Sequence, residues 1–197
     1  LGKGFNAIFI ENDSETEGGT VTLKISEIEP NRTQPRKEFD EQALSELAES
    51  ISQHGLLQPL LVRPLTLGGY QIVAGERRYR ASRMAGLTEV PVIIKELTDT
   101  ETMEIALIEN LQREDLSPVE EALGYKALID EHGFSQEEVA KSVGKSRPAV
   151  ANALRLLKLP DNIMEYLKDG KISAGHARAL LTLENEELMT ELADEIV

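Results

Sequence analysis

Four arginines crowd into the nine residues Gly75-Glu76-Arg77-Arg78-Tyr79-Arg80-Ala81-Ser82-Arg83. An apolar run, Tyr70-Gln71-Ile72-Val73-Ala74, precedes them and reads as a strand, and Gly86 reads as a helix stop. The arginines therefore sit on one short helix, entered through a glycine directly after a strand. A helix N-terminus carries unpaired N–H groups and a partial positive charge. Gly75 would let a ligand approach that backbone closely. Arginines placed there suit the phosphates of a nucleotide, because the guanidinium fork matches phosphate oxygens. An isolated arginine-rich helix can equally be a plain solvated basic face. The chain has no Gly-x-x-x-x-Gly-Lys-Ser/Thr loop and so is no P-loop NTPase. No histidine neighbours a plausible serine nucleophile. Hydrolysis would be attack by water, aided by positioning and charge.

A second basic island spans residues 141–158, with Lys141, Lys145, Arg147, Arg155 and Lys158 and no acidic residue. Residues 136–157 fit a helix-turn-helix. Val139 and Ala140 end the packing face of the first helix, and the small Ala140 lets the two helices cross closely. Gly144 supplies a turn residue tolerant of positive φ. The second helix is expected over residues 146–157, with Val150, Ala153 and Leu154 facing inward. Lys145, Ser146 and Arg147 then lie at its N-terminus, where phosphates and major-groove base edges are met. Arg147 is the candidate base reader, since a bidentate arginine–guanine contact is the commonest specific one. Lys145, Asn152 and Lys158 suit phosphate or positioning contacts, and Arg155 belongs to the same basic surface. The alternative for this stretch is a three-helix packing unit with no nucleic-acid role.

Three further segments keep company with the arginine helix. They are Gln34-Pro35-Arg36-Lys37-Glu38-Phe39, Glu49-Ser50-Ile51-Ser52-Gln53-His54-Gly55-Leu56-Leu57-Gln58-Pro59, and Glu109-Asn110-Leu111-Gln112-Arg113. Together these motifs resemble the ParB family of chromosome and plasmid partition proteins, over nearly the whole chain from Leu1-Gly2-Lys3-Gly4 to Gly175-His176-Ala177-Arg178. The resemblance implies binding to palindromic centromere-like (parS-like) DNA and action as a CTP-dependent clamp, with slow, DNA-stimulated hydrolysis of CTP to CDP and phosphate. It implies a nucleotide pocket built from Gln34 and Arg36, from Ser50 and Gly55, from Gly75, Glu76, Arg77, Arg78 and Arg80, and from Glu109, Asn110 and Arg113. Glu109 and Asn110 would offer hard oxygen ligands to Mg²⁺, and Gln34 would orient the attacking water. Taken alone, Glu109 and Arg113 would read as an ordinary i,i+4 ion pair. Gly175 and Arg178 are implied as further DNA contacts. Cytosine selectivity enters only through the family. Noc shares the fold with a different DNA specificity, and Arg147 and Gly175 match the ParB pattern.

The net charge of −14 argues against a protein that coats DNA without specificity, and acid concentrates elsewhere, notably over residues 184–195. No apolar run approaches the about 20 residues of a membrane span, and no signal peptide is visible. Cysteine is absent, which excludes disulfides and cysteine-based zinc sites. A bacterial, cytoplasmic and nucleoid-associated location is expected.

The elements that must position these groups follow from patterning. Residues 1–19 read as a polar, acidic tail, which the resemblance makes a docking segment for a ParA-type ATPase. Residues 20–115 read as a small mixed-sheet α/β domain. Its strands are expected over 21–25, 60–63, 70–74 and 90–97, with a Gly68-Gly69 turn. Its amphipathic helix over 40–54 carries Leu44, Leu47, Ala48 and Ile51 on one face. Capping boxes at Thr98–Glu101, Ser117–Glu120 and Ser135–Glu138 open three helices. A boundary near Asp115 separates an all-α helix-turn-helix domain over 116–197. The fold class is thus α+β, with a ParB/sulfiredoxin-like nucleotide domain first. The family's C-terminal dimerisation domain is expected to be absent, which leaves self-association through the N-terminal domain. An SMC condensin is a further implied partner. The competing functions are a Noc-like nucleoid-occlusion factor, a plain transcription regulator, which would leave the nucleotide motifs without a task, and a small-molecule kinase of related fold.

Overall fold

The computed structural model describes residues 19–31, 40–113, 116–183 and 185–197. The expected tail over residues 1–19 lies outside this range except for Gly19, and Gln34 and Arg36 lie outside it altogether. Packing divides the chain into two compact units that change over between Ala106 and Leu107.

The first unit is an α/β structure. Strands β1 (Val21–Lys24), β2 (Ile28–Glu29), β3 (Leu60–Pro64), β4 (Tyr70–Ala74) and β5 (Glu89–Ile94) form one sheet in the order β1-β5-β3-β4-β2. Pairing is antiparallel for β1/β5 and β3/β4 and parallel for β3/β5 and β2/β4, so the sheet is mixed as expected. The central strand β3 buries Leu60, Leu61 and Val62 in succession, the mark of a strand covered on both faces. Strand β5 stops at Ile94, short of the expected residue 97. The two-residue β2 has no periodicity for a sequence reading to detect. It is held instead by the Tyr79 hydroxyl, which donates to the Ile28 carbonyl at 2.9 Å in the core.

Two helices pack on this unit. Helix α1 (Glu41–His54) starts at Asp40, whose side chain accepts from the Gln42 and Ala43 amides, and ends at Gly55 with φ 73°. Its Ala48 and Ile51 meet Ala81 of helix α2 (Glu76–Met84), with Leu44 and Leu47 alongside. Helix α3 (Asp99–Leu111) follows β5, opened by the expected Thr98–Glu101 capping box.

The second unit is all helical. It takes the last turn of α3, then α4 (Pro118–Asp130), α5 (Gln136–Val143), α6 (Arg147–Leu156), α7 (Asp161–Lys168), α8 (Ala174–Leu180) and α9 (Glu186–Ile196). The packing changes hands inside α3, ahead of the expected Asp115, because Ile108 and Leu111 bury among Ala122, Tyr125, Leu128 and Val139. A second cluster gathers Leu156, Leu159, Ile163, Leu167, Ala177 and Leu180. Helix α7 has no side-chain cap, so no local signal in the sequence marks its start.

Candidate nucleotide and nucleic-acid sites

The arginine helix forms where the sequence puts it. Gly75 links β4 to α2 at φ 101°, a left-handed conformation that L side chains rarely adopt. Space is tight as well: a Cβ there would lie 3.0 Å from Leu60 Cδ2 and 3.1 Å from Arg78 Nη2, so those side chains would have to give way. As a glycine, Gly75 offers no side chain to cap the helix.

The four arginines divide by role. Arg77 is exposed and points its charge to solvent. Arg78 is half-buried, and its Nη1 donates to the carbonyls of Gln58 at 3.1 Å and Pro59 at 2.7 Å. It therefore anchors the segment that follows Gly55, a structural task that spacing alone does not reveal. Arg80 donates from Nε to Glu76 Oε1 at 2.8 Å, one turn back along the helix. Arg83 lies over the Tyr79 ring, 5.9 Å from its centroid.

Glu76 is 7% exposed, and its second oxygen, Oε2, has no hydrogen-bond partner among the described residues. A buried carboxylate satisfied on one oxygen only is an open demand for a donor. Beside it lies a depression of about 510 Å³, lined by Leu44, Glu76, Tyr79, Arg80, Arg83, Met84 and Pro30. Arg80 and Arg83 on its rim, beside an unsatisfied carboxylate, suit an anion that also carries donors. Another depression, about 540 Å³ and lined by Pro160, Glu186, Glu187, Thr190, Glu191 and Asp194, is acidic and holds none of the expected site residues.

Ser50 is exposed one turn before the end of α1, and its carbonyl lies 3.2 Å from His54 Nδ1. Both Ser50 and Gly55 belong to the same unit as the arginine helix. Glu109, Asn110 and Arg113 belong to the helical unit instead, where all three are half-buried. Arg113 Nη1 donates to Asn110 Oδ1 at 3.3 Å. Among the described residues no cluster of three or more His, Asp or Glu is poised for a metal. Mg²⁺ takes only one or two protein ligands and completes its shell with water and phosphate, so such a cluster is not required of the expected Glu109–Asn110 pair.

The helix-turn-helix is formed by α5 and α6. Gly144 caps α5 at φ 70° and its amide bonds back to Ala140 and Lys141. Ser146 stands just outside α6 and not inside it, accepting from the Ala149 amide at 3.3 Å through its hydroxyl. That hydroxyl keeps its hydrogen to donate outward. Val139, Ala140, Val150 and Ala153 are buried and Leu154 packs against them, while Leu156 is buried too. Lys145, Ser146, Arg147, Arg155 and Lys158 are exposed, and Asn152 is half-buried. Lys145 Nζ lies 4.0 Å from Glu121 Oε1, and the Tyr125 hydroxyl donates to the same Glu121 oxygen. Burial raises the Tyr125 pKa, with the Glu121 hydrogen bond and charge adding to the effect.

Helix α8 exposes Gly175 and Arg178, and its N-cap Ser173 accepts from the His176 amide at 3.2 Å. A Cβ on Gly175 would meet nothing closer than Ser173 Oγ at 3.4 Å, an ordinary contact. The fold itself does not demand glycine there.

Comparison with known proteins agrees with this architecture. The ParB N-terminal domain family matches residues 10–111 and the ParB HTH domain family residues 114–197. The chain belongs to the ParB family. Chromosome-partitioning protein Spo0J of Thermus thermophilus is 59% identical over 98% of this chain and 70% of its own length. Stage 0 sporulation protein J of Bacillus subtilis is 52% identical over 100% of this chain and 69% of its own length. A crystal structure of C-terminally truncated ParB from Caulobacter crescentus, complexed to the centromeric parS site, is 44% identical with a TM-score of 0.79. That match covers 90% of this chain and 93% of the other. Among the described residues no helix is long and apolar enough to cross a membrane.

Proposed function

We propose that this ParB-family chain binds a palindromic, parS-like centromere DNA sequence-specifically and acts as a CTP-switched clamp on it during chromosome or plasmid segregation. The observation that carries the DNA half is the exposed trio Lys145, Ser146 and Arg147 at the start of α6, set in an acid-free stretch of a chain whose net charge is −14. Local positive charge on a negative molecule favours one docking face over indiscriminate coating. The similarity to a parS-bound relative supports the same assignment.

The nucleotide half rests on the arginine helix and its basic depression, with CTP the nucleotide that family resemblance implies. Gly75, Arg77, Arg78 and Arg80 would offset triphosphate charge, Gln34 and Arg36 would complete the pocket, and Ser50 and Gly55 would border it. Glu109 and Asn110 would hold Mg²⁺, with Arg113 beside them. Magnesium, when bound, neutralises phosphate charge without proton transfer. The reaction is slow attack by water on the terminal phosphoryl group, giving CDP and phosphate, with Gln34 orienting the water and the arginines stabilising developing charge. Residues 1–19 would engage a ParA-type ATPase, a second copy of the chain would close the clamp, and an SMC condensin is a further partner. The site of action is the bacterial nucleoid in the cytoplasm.

Two measurements test this. Labelled CTP is titrated with and without palindromic centromere-like DNA, and single cysteines in this cysteine-free chain are cross-linked across two copies. The clamp reading expects cross-linking that depends on CTP and is promoted by DNA, and that weakens in Asn110→Ala. Equal yields with CTP, with ATP and with no nucleotide would leave a plain DNA-binding regulator as the better account.

A further inference from the structure

Glu121 lies in the first turn of α4, next to the capping-box residue Glu120 but outside that box. An acidic side chain there suits the helix dipole. Its neighbours give it a second task. Tyr125, one turn further along α4, is 1% exposed, and its hydroxyl donates to Glu121 Oε1. A buried hydroxyl needs such an acceptor, and the bond fixes where the carboxylate stands. The same oxygen lies 4.0 Å from Nζ of Lys145, the residue before the N-cap of α6. The Lys145 backbone is fixed too, because its amide donates to the Ala140 carbonyl at 2.9 Å. The acid-free stretch 141–158 therefore meets a counter-charge from α4, at the end that faces DNA in the reading above. At 4.0 Å the ammonium is beyond hydrogen-bond range and spends none of its hydrogens on Glu121.

We propose that Glu121, held by Tyr125, is a positioning residue that restrains Lys145 and so limits sequence-independent attachment to DNA. With Lys145 as a phosphate contact, the reading on which this role rests, a phosphate must draw the ammonium away from a carboxylate that is tied to Tyr125 and cannot follow it. Sequence-independent binding is almost wholly electrostatic, so each cation held back lowers it, whereas base contacts still secure the cognate site. The restraint is modest, because the Lys145 and Glu121 side chains are 54% and 30% exposed and an exposed ion pair is weak.

The test measures affinity for a cognate and a random duplex at one low salt concentration, in wild type, Glu121→Gln, Lys145→Ala and the two substitutions combined. Glutamine still accepts from Tyr125 but carries no charge. Glu121→Gln is expected to bind both duplexes about two- to fivefold tighter, the range of an exposed ion pair, with an unchanged melting temperature. In the Lys145→Ala background the same substitution should change affinity by less than about 1.5-fold, because the partner it acts through is gone. Glu121→Ala combined with Tyr125→Phe removes acceptor and donor together, leaves no orphaned hydroxyl, and should reproduce the gain by a second route. A helix-dipole role alone would move the melting temperature and not the DNA affinity. Unchanged or weaker binding by a folded variant of either kind, a gain on one duplex alone, or a gain that persists in the Lys145→Ala background overturns the role of Glu121. Lys145→Ala that binds both duplexes as wild type does overturns the phosphate reading of Lys145 and this role together.

Discussion

Replacing Arg147 and Lys145 separately should expose two different kinds of DNA contact. Arg147 is the first residue of α6 and is exposed, and among the described residues its side chain is in no hydrogen bond or ion pair. Arg147→Ala should therefore leave the thermal stability of the unit almost unchanged. If Arg147 reads a guanine bidentately, its loss costs about 1–3 kcal/mol on the cognate site, roughly 5- to 150-fold in affinity, concentrated at one base pair. Lys145 stands just before the helix, 4.0 Å from Glu121 and half-exposed. A single phosphate contact contributes about 0.9 to the slope of log affinity against log salt. Raising salt fourfold should then shrink the gap between wild type and Lys145→Ala about 3.5-fold, on cognate and random duplexes alike. The assay is a fluorescence-anisotropy titration on both duplexes at several salt concentrations. The division of labour is refuted if Arg147→Ala loses affinity equally on both duplexes, or if Lys145→Ala changes base discrimination and leaves the salt slope intact.

Arg78→Ala should abolish CTP binding and also destabilise the sheet unit by about 1–2 kcal/mol, because its half-buried guanidinium holds the Gln58 and Pro59 carbonyls. Urea unfolding beside a CTP titration reads both effects, and full stability with full CTP affinity would remove Arg78 from both tasks. Gly175→Ala should keep or slightly raise the melting temperature, since its Cβ meets only an ordinary contact at 3.4 Å, while lowering cognate DNA affinity if DNA approaches that backbone. Unchanged DNA affinity would place the DNA path elsewhere. The capping-box carboxylates Glu101, Glu120 and Glu138 have pKa values held below the ordinary 4.5, chiefly by the backbone amides of Thr98, Ser117 and Ser135. A lowered folded-state pKa gives stability that is present above 4.5 and lost as pH falls through the folded value. Glu138→Gln, which keeps a neutral capping box, should flatten that acid-side loss in thermal melts between pH 5 and 3 relative to wild type, roughly the range over which such carboxylates titrate; an unaltered profile would contradict the assignment.

Local signals carried far in this chain. The capping boxes at residues 98, 117 and 135 are satisfied within three residues of themselves, so no distant contact can undo them. The strand–Gly75–helix sequence and the Gly144 turn were legible for the same reason: each rests on a backbone conformation that few residues other than glycine adopt. The motif order then carried the family. Tertiary packing decided the rest. Strand β2 exists because β4 pairs with it and Tyr79 reaches its carbonyl, partners that lie far away in sequence. The packing boundary falls inside α3, ahead of the boundary expected near Asp115, because Ile108 and Leu111 find their neighbours in α4 and α5. Residue type placed four arginines on α2, but only three-dimensional contact assigned Arg78 to backbone carbonyls, Arg80 to Glu76 and Arg83 to an aromatic face. A guanidinium on a long flexible stem can reach any of several partners, and the winner is fixed by which carbonyl, carboxylate or ring the fold brings within its reach.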